Sequence, residues 1–550
     1  MDFLPRRVCR LASAIVVVLG AALGVVIPVA AAAPAAEVLI ASGDDRHLPA
    51  GARRVAGISG IGFFTLKVPA GLTADGYAAV LAGRPGVAGV QANTPIRRAS
   101  IAGTCVDTPV APLLETALTT NARGRPPPTT TRPVAVLDTG VDPTVPELAG
   151  RVLPPSNAIP GTPPALPDDD GHGTQVAAAA AGAPGLVAGT SPSSPIMPIR
   201  IATASVLATP ATIVKGLEIA VAREARVAVL PSSQPLSQVS EDTVGSVGLA
   251  VNAAFSAGVI TVVPAGNEGE NEPSFPGSLG HVLTVGSAGA SAVRDEFSNA
   301  GPWIDLVAPG ADRVLPAPPA ICISGYARAS GTSFSAATVA GAVALIAAAR
   351  PRLTTSGLYD LIRRSSSSDA GPSGFDVNTG FGLLNVGVGL GASAAAADPY
   401  EVNDDVYWIK RRPAAFPTYL RRTRRVTTRG SVSPGKDPKD AFKVYVRRNQ
   451  LLRARVRGAN TTDVLYASIW STRTRAFDMR LPAPSTELRD SRGFTQNPVV
   501  SYRAPRTGTY YVAVFAPQWT VPGEQGSRGK DLAPLSPPRT TYSLTMTRGR

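Results

Sequence analysis

Between about Thr104 and Ala395 the chain alternates short β-branched runs with longer helix-like stretches, and no other feature narrows its possible folds as far. The runs are VAVLDTG (134–140), VAVLPSS (227–233), VITVVPAGN (259–267), HVLTVGSA (281–288) and IDLVAPG (304–310). Stretches such as TPATIVKGLEIAVAREA and SVGLAVNAAFSAG stand between them. A strand that hands over to a helix before the next strand needs a crossover, and repeated crossovers give a parallel sheet with helices on both faces. In such α/β sheets the working side chains collect at the carboxyl ends of strands. Asp138 and Asn267 each stand just past one of these runs.

The flanks read differently. Over residues 37–100, EVLIA and GFFTLKV have strand character, TADGYAAVLAGRPGV reads as a short helix, and a strand-like VAGVQANTP follows. This is a small α+β unit, joined to the next part by the Pro-rich RGRPPPTTTRP. After the alanine-rich GASAAAADPYEVNDD, residues 398–550 carry DAFKVYV, LLRARVRG, VLYASIWS, TGTYYVAVFAP and TTYSLTMT without helical stretches. Short alternating runs separated by Gly, Pro and Asn predict a C-terminal all-β sandwich.

Charge divides the chain at the same place. Residues 398–550 hold 28 Lys and Arg against 12 Asp and Glu, a net of +16, leaving 25 against 27 in the first 397 residues. Such a surface is either merely solvated or attracted to acidic cell-surface polymers; no nucleic-acid partner is expected. At the N-terminus, Arg6, Arg7 and Arg10 precede LASAIVVVLGAALGVVIPVA and the small-residue stretch AAAPAAE, which reads as an export signal over residues 1–33. The apolar run is also long enough for a retained anchor, but Pro28 and the alanines favour cleavage, so a secreted protein is expected. Cys9 would leave with the signal. Cys105 and Cys322 remain, either bridged in an oxidising compartment or as two buried thiols.

Four residues carry chemistry. Of only three histidines, His172 alone lies in a motif, DDDGHGTQVAAAAAG, while His47 and His281 read as structural. A neutral imidazole can take the proton of a hydroxyl nucleophile near pH 7. Ser333, in ASGTSFSAATVAGAVAL, opens an apolar stretch, which puts its hydroxyl at a helix N-terminus where unpaired N–H groups favour negative charge. Asp138 can accept an imidazole N–H, and the Asn267 amide can donate to an oxyanion. Singly, each has an ordinary structural reading: a capping serine, a turn aspartate, a left-handed asparagine. Together they run in the order Asp, His, Asn, Ser.

The blocks VAVLDTGVD, DGHGT, AGN and SGTSFSAATVAGAVAL resemble the subtilisin-like serine proteases over about residues 130–390. The resemblance implies a three-layer peptidase domain over 104–395 that hydrolyses peptide bonds of protein substrates through an acyl-enzyme. Ser333 would be the nucleophile, His172 the general base and then acid, Asp138 its orienter, and Asn267 with the Ser333 N–H the oxyanion hole. Residues 37–100 would be an inhibitory propeptide removed by self-cleavage, and 398–550 is similar to a pre-peptidase C-terminal domain. No cofactor is required for this chemistry. Structural Ca²⁺ is common in the family, but no ligand cluster here is specific enough to name. Two departures stand out. Gln175 replaces the family's second histidine, and Pro231, Ser233 and Pro235 fall on its Asn-x-Ser-x-Gly cleft strand. Prolines cannot donate to a substrate backbone, so a weakened cleft ladder is expected.

Overall fold

The computed structural model describes residues 36–97, 101–106, 132–163, 167–183, 188–239, 244–289, 291–364, 367–368, 375–392, 418–432, 439–460, 465–473, 487–491, 495–516 and 540–549. The expected export segment lies outside them, as do most of the Pro-rich stretch and of the linker.

The first unit contains β1 (Glu37–Ser42), β2 (Arg53–Ile58), β3 (Ile61–Lys67), α1 (Ala74–Ala82) and β4 (Val87–Ala92). Its strands form an antiparallel sheet in the order β2-β3-β1-β4. Both faces of β1 are apolar, and the period-two alternation sends them different ways. Val38 and Ile40 pack with Ala78 and Leu81 of α1, whereas Leu39 and Ala41 join the main core of the chain. After β5 (Ile101–Cys105) the peptidase-like part begins.

That part runs through β6 (Val134–Asp138), β7 (Ser156–Asn157), α2 (His172–Ala181), β8 (Ile196–Arg200), α3 (Pro210–Ala222), β9 (Val227–Val229), α4 (Val244–Ser256), β10 (Ile260–Pro264), β11 (Val282–Ser287) and β12 (Leu306–Ala308). It continues with β13 (Arg313–Pro316), β14 (Tyr326–Ser330), α5 (Thr332–Ala349), α6 (Thr355–Arg364), β15 (Ser367–Ser368), β16 (Leu383–Leu384) and α7 (Val386–Gly391). The central sheet has the order β15-β16-β12-β11-β10-β9-β6-β8-β7. Eight of its strands are parallel, and β15 is an antiparallel edge. This is the expected three-layer α/β architecture.

Local sequence explains where the helices start. Thr209 accepts from the Thr212 N–H, Thr212 returns a bond to the Thr209 N–H, and Pro210 occupies the first turn of α3, where its missing N–H costs nothing. Helix α5 is apolar all round and almost wholly buried, as a helix without a polar stripe must be. It packs with α2 against the sheet. Helices α3 and α4 pack together, and the first unit's sheet lies on them.

The C-terminal part contains β17 (Thr418–Tyr419), β18 (Arg425–Val432), β19 (Lys439–Val446), β20 (Leu451–Gly458), β21 (Tyr466–Trp470), β22 (Glu487–Asp490), β23 (Val499–Arg503), β24 (Gly508–Phe515) and β25 (Thr540–Gly549). They form two sheets, β17-β19-β24-β21-β22 and β18-β25-β20-β23, whose inner side chains share one core. In β20 the buried Leu452, Ala454 and Val456 alternate with exposed Arg453, Arg455 and Arg457. That is the sandwich pattern expected from the sequence.

Candidate active site

Strand β6 ends on Asp138, and the loop beyond turns back over the start of α2, whose first residue is His172. The carboxylate Oδ2 of Asp138 lies 2.7 Å from Nδ1 of His172, and both side chains are at most 5% exposed. The other oxygen accepts the Thr139 N–H at 2.7 Å. The carboxylate is therefore held by its own backbone and aimed at the ring.

The glycines of GHG have separate tasks. Gly171, capping α2, has φ of 89°, a left-handed conformation that favours glycine. Gly173 has no room: a Cβ there would sit 2.1 Å from the Gly140 carbonyl oxygen and 3.2 Å from Asp138 Cβ. Close contact between α2 and the loop after β6 is what brings the ring to the carboxylate.

A residue that sequence reasoning passed over holds this arrangement together. Asp168 is buried and accepts from the Thr139 hydroxyl at 2.8 Å, the Gly171 N–H at 2.9 Å, and the Thr174 N–H and hydroxyl at 2.9 and 2.6 Å. It ties the residue after Asp138 to the first turn of the His172 helix. Burial pushes its carboxyl above the usual range; bonds from Thr174, Gly171 and Thr139 pull it down, and the Asp138 charge pushes it up again. Its signal was present in DDDGHGT as an acid four positions before the histidine.

Ser333 is the second residue of α5 and fully buried. Its Oγ donates to the Pro231 carbonyl at 3.3 Å, and Nε2 of His172 has no hydrogen-bond partner among the described residues. The phenyl ring of Phe334 lies 5.8 Å from the His172 ring. Asn267 follows β10. Its Oδ1 accepts from the Thr332 N–H at 2.9 Å and the Thr332 hydroxyl at 2.8 Å. These two donors fix which way the amide faces and commit its oxygen, which leaves the Nδ2 hydrogens to donate elsewhere. All four expected residues are thus placed at strand ends or helix starts on one edge of the sheet: Asp138 and Asn267 follow β6 and β10, while His172 and Ser333 open α2 and α5.

A backbone donor remains in the strand that carries the two prolines. The ladder donor is Ser233, which lies between the two prolines, and its N–H donates to the Arg97 carbonyl at 3.0 Å. Pro231 contributes a carbonyl instead, and Pro235 pairs with Ser274 outside this contact. One residue earlier, the Ile96 N–H donates to the Ala208 carbonyl at 2.7 Å, and the Ile96 side chain is buried. The tail of the first unit therefore runs along two segments, at Ala208 and at Ser233, and the second reaches Ser333 through the Pro231 carbonyl. That unit also supplies side chains to two helix starts: Asn93 accepts from the Ala211 N–H of α3 and Gln91 from the Val247 N–H of α4, each at 2.9 Å. Cys105 and Cys322 are joined in a disulfide. Among the described residues no group of three or more His, Cys, Asp or Glu is placed to hold a metal ion.

Residues 131–382 match the model of the Subtilase family, Peptidase_S8. Subtilisin Savinase of Lederbergia lenta is 31% identical over 237 residues, covering 43% of this chain and 83% of that protein. The chain belongs to the subtilase family. It is a serine-type endopeptidase, and its substrates are proteins. The major intracellular serine protease of Bacillus subtilis (strain 168) is 34% identical over 39% of this chain and 67% of its own length. An alkaline protease of Shouchella clausii is 31% identical, and this subtilase spans 59% of its length. The crystal structure of the epidermin leader peptide processing serine protease from Staphylococcus aureus superposes with a TM-score of 0.51 at 19% identity, covering 66% of this chain and all of that one. At that identity the likeness speaks to the fold.

Proposed function

We propose that this subtilase hydrolyses peptide bonds with a Ser333–His172–Asp138 triad, and that it is exported as a precursor which cuts itself. The observation that carries the reading is the buried 2.7 Å contact between Asp138 and His172, whose ring lies 5.8 Å from that of Phe334, the residue after Ser333 at the start of α5. His172 Nε2 takes the Ser333 proton as Oγ attacks the substrate carbonyl. The oxyanion is met by Asn267 Nδ2 and the Ser333 N–H, and Nε2–H then protonates the leaving amine. Water resolves the acyl-enzyme with His172 as base. Every step uses side chains or backbone of this chain and calls for no cofactor.

Residues 37–100 serve as the chain's own inhibitor. Their tail occupies backbone donors and acceptors at Ala208 and Ser233 that an extended substrate would use. The first bond offered to Ser333 then lies between Arg97 and Ile101. Expression of wild type and Ser333→Ala in a protease-deficient host tests both parts. The variant should keep the 37–100 unit and lose at least about a thousandfold of activity on an unfolded protein. A variant that matures to wild-type size, or retains activity, refutes the assignment.

The C-terminal sandwich supports a second role, attachment to acidic cell-surface polymers. On its outer face Arg425 and Arg429 of β18, and Arg453, Arg455 and Arg457 of β20, flank the Ser and Thr side chains of β25. The β20 arginines repeat at about 6.5 Å and the β18 arginines at about 13 Å, with the two rows about 9.5 Å apart across two strand spacings. No acidic residue shares these rows in the register, so the face is a one-sign lattice suited to a linear polyanion.

A further inference from the structure

We infer that β5 stays clamped in the leaving-group side of the cleft after the precursor is cut, and that the Cys105–Cys322 disulfide thereby restricts what the mature enzyme accepts beyond the scissile bond. The inference rests on the self-cleavage reading above.

The path of the chain defines the two sides of the cleft. Arg97 is held by Ser233, two residues beyond the Pro231 carbonyl that receives the Ser333 hydroxyl. Ile101 is paired with Ser330, three residues before Ser333 itself. Four residue steps separate Arg97 from Ile101, a reach of at most about 14 Å. The nucleophile therefore has the incoming chain on one flank and the outgoing chain on the other. A protein substrate following the same course would lay the residues after its scissile bond along β14.

That strand has no edge left to give. The small sheet has the order β13-β14-β5, so β14 is paired on one side with β13 and on the other with β5. The pairing with β5 covers Ala327–Cys105, Arg328–Thr104 and Ser330–Ile101, and it is continued by the Val106 N–H to the Tyr326 carbonyl at 3.1 Å. The strands are closely packed, because a Cβ on Gly103 would lie 2.9 Å from the Arg328 oxygen and 3.0 Å from Ala329 Cβ. Strand addition needs a free row of N–H and C=O groups.

Cutting the peptide bond before β5 does not release it. Cys105, at its far end, is bonded to Cys322. Cys322 sits in the loop that enters β14, and in the same loop Ile321 Cδ1 would touch a Cβ on Gly171, the residue before His172. The disulfide thus fastens β5 to the wall of the catalytic site. A tethered segment competes with free ligand at an effective concentration in the mM range. Substrates with a small leaving group avoid this competition, whereas substrates that continue past the scissile bond must displace β5.

Two substrates with the same residues before the scissile bond separate the cases: a peptide anilide, and an internally quenched peptide continuing for several residues beyond it. The mature wild-type enzyme is assayed before and after reduction in native buffer, with thiol content confirmed by mass, alongside a Cys105→Ser/Cys322→Ser variant. Reduction of the folded enzyme covers the event that the variant does not fold. Opening the disulfide should raise the ratio of extended-peptide to anilide kcat/KM by about tenfold or more, as the tether's advantage is lost. An unchanged ratio in fully reduced enzyme overturns the clamp. N-terminal sequencing of the wild type, set against Ser333→Ala, reports separately on the self-cleavage reading: a mature terminus outside residues 98–101 sinks that reading whatever the ratio does.

Discussion

Replacing Gly173 by alanine tests the geometry of the proposed Asp138–His172 pair more sharply than removing either member. The added Cβ would lie 2.1 Å from the Gly140 oxygen, where ordinary contact begins at 3.4 Å. The start of α2 and the loop after β6 must therefore part by about 1.3 Å, a displacement of the kind that costs about a hundredfold in rate. His172 is the adjacent residue and Asp138 Cβ the next nearest neighbour, so the strain falls on the 2.7 Å bond between them. A hundredfold loss is about 2.7 kcal/mol of transition-state stabilisation. It should appear in kcat, because the backbone groups at Ser233 and Ala208 that would hold an extended substrate are on other segments. In an unobstructed helix the same change would stabilise by up to about 1 kcal/mol. Steady-state kinetics on a peptide anilide, with Tm measured in parallel, decide the matter. Gly289→Ala, where nothing lies within 4 Å, is the control. A Gly173→Ala enzyme within about threefold of wild type in kcat would refute the proposal that close contact of α2 with the loop after β6 sets the Asp138–His172 pair for catalysis.

Thr332→Val removes one of the two donors that orient the Asn267 amide but keeps the N–H; kcat should fall about three- to tenfold, the worth of one neutral hydrogen bond, with KM little changed. Asp168→Asn replaces a carboxylate that accepts four short bonds with a group that has one oxygen; kcat and Tm should both fall, and an unaltered kcat would show that Asp168 does not position His172. Retention of the full chain on a phosphodiester polymer should decline steeply with salt, since screening sets in within about 10 Å at 0.1 M, and should weaken in Arg453→Ser/Arg455→Ser/Arg457→Ser. Salt-independent retention would rule out the arginine lattice as its cause.

Much of this molecule was legible in one dimension because its signals are local. Period-two and helical patterns announce β6, α3, α4 and the strands of the sandwich, and the turn chemistry around Asp138, His172 and Ser333 lies within a few residues of each. The order of those motifs along the chain pointed to the chemistry before any distance was available. What sequence left open depends on segments far apart in the chain. Cys105 and Cys322 are 217 residues apart, and only the pairing of β5 with β14 brings them within bonding distance. Asp168 looked like one of three acids in a loop until folding surrounded it with donors from two segments. Sequence shows which residues lack an N–H but not which N–H groups face the cleft; the fold turns the Ser233 N–H toward Arg97, while Pro231 presents its carbonyl to Ser333 and Pro235 pairs with Ser274. Local propensity is written in neighbours, whereas pairing, burial and the direction of a backbone donor are settled by whatever packs against it.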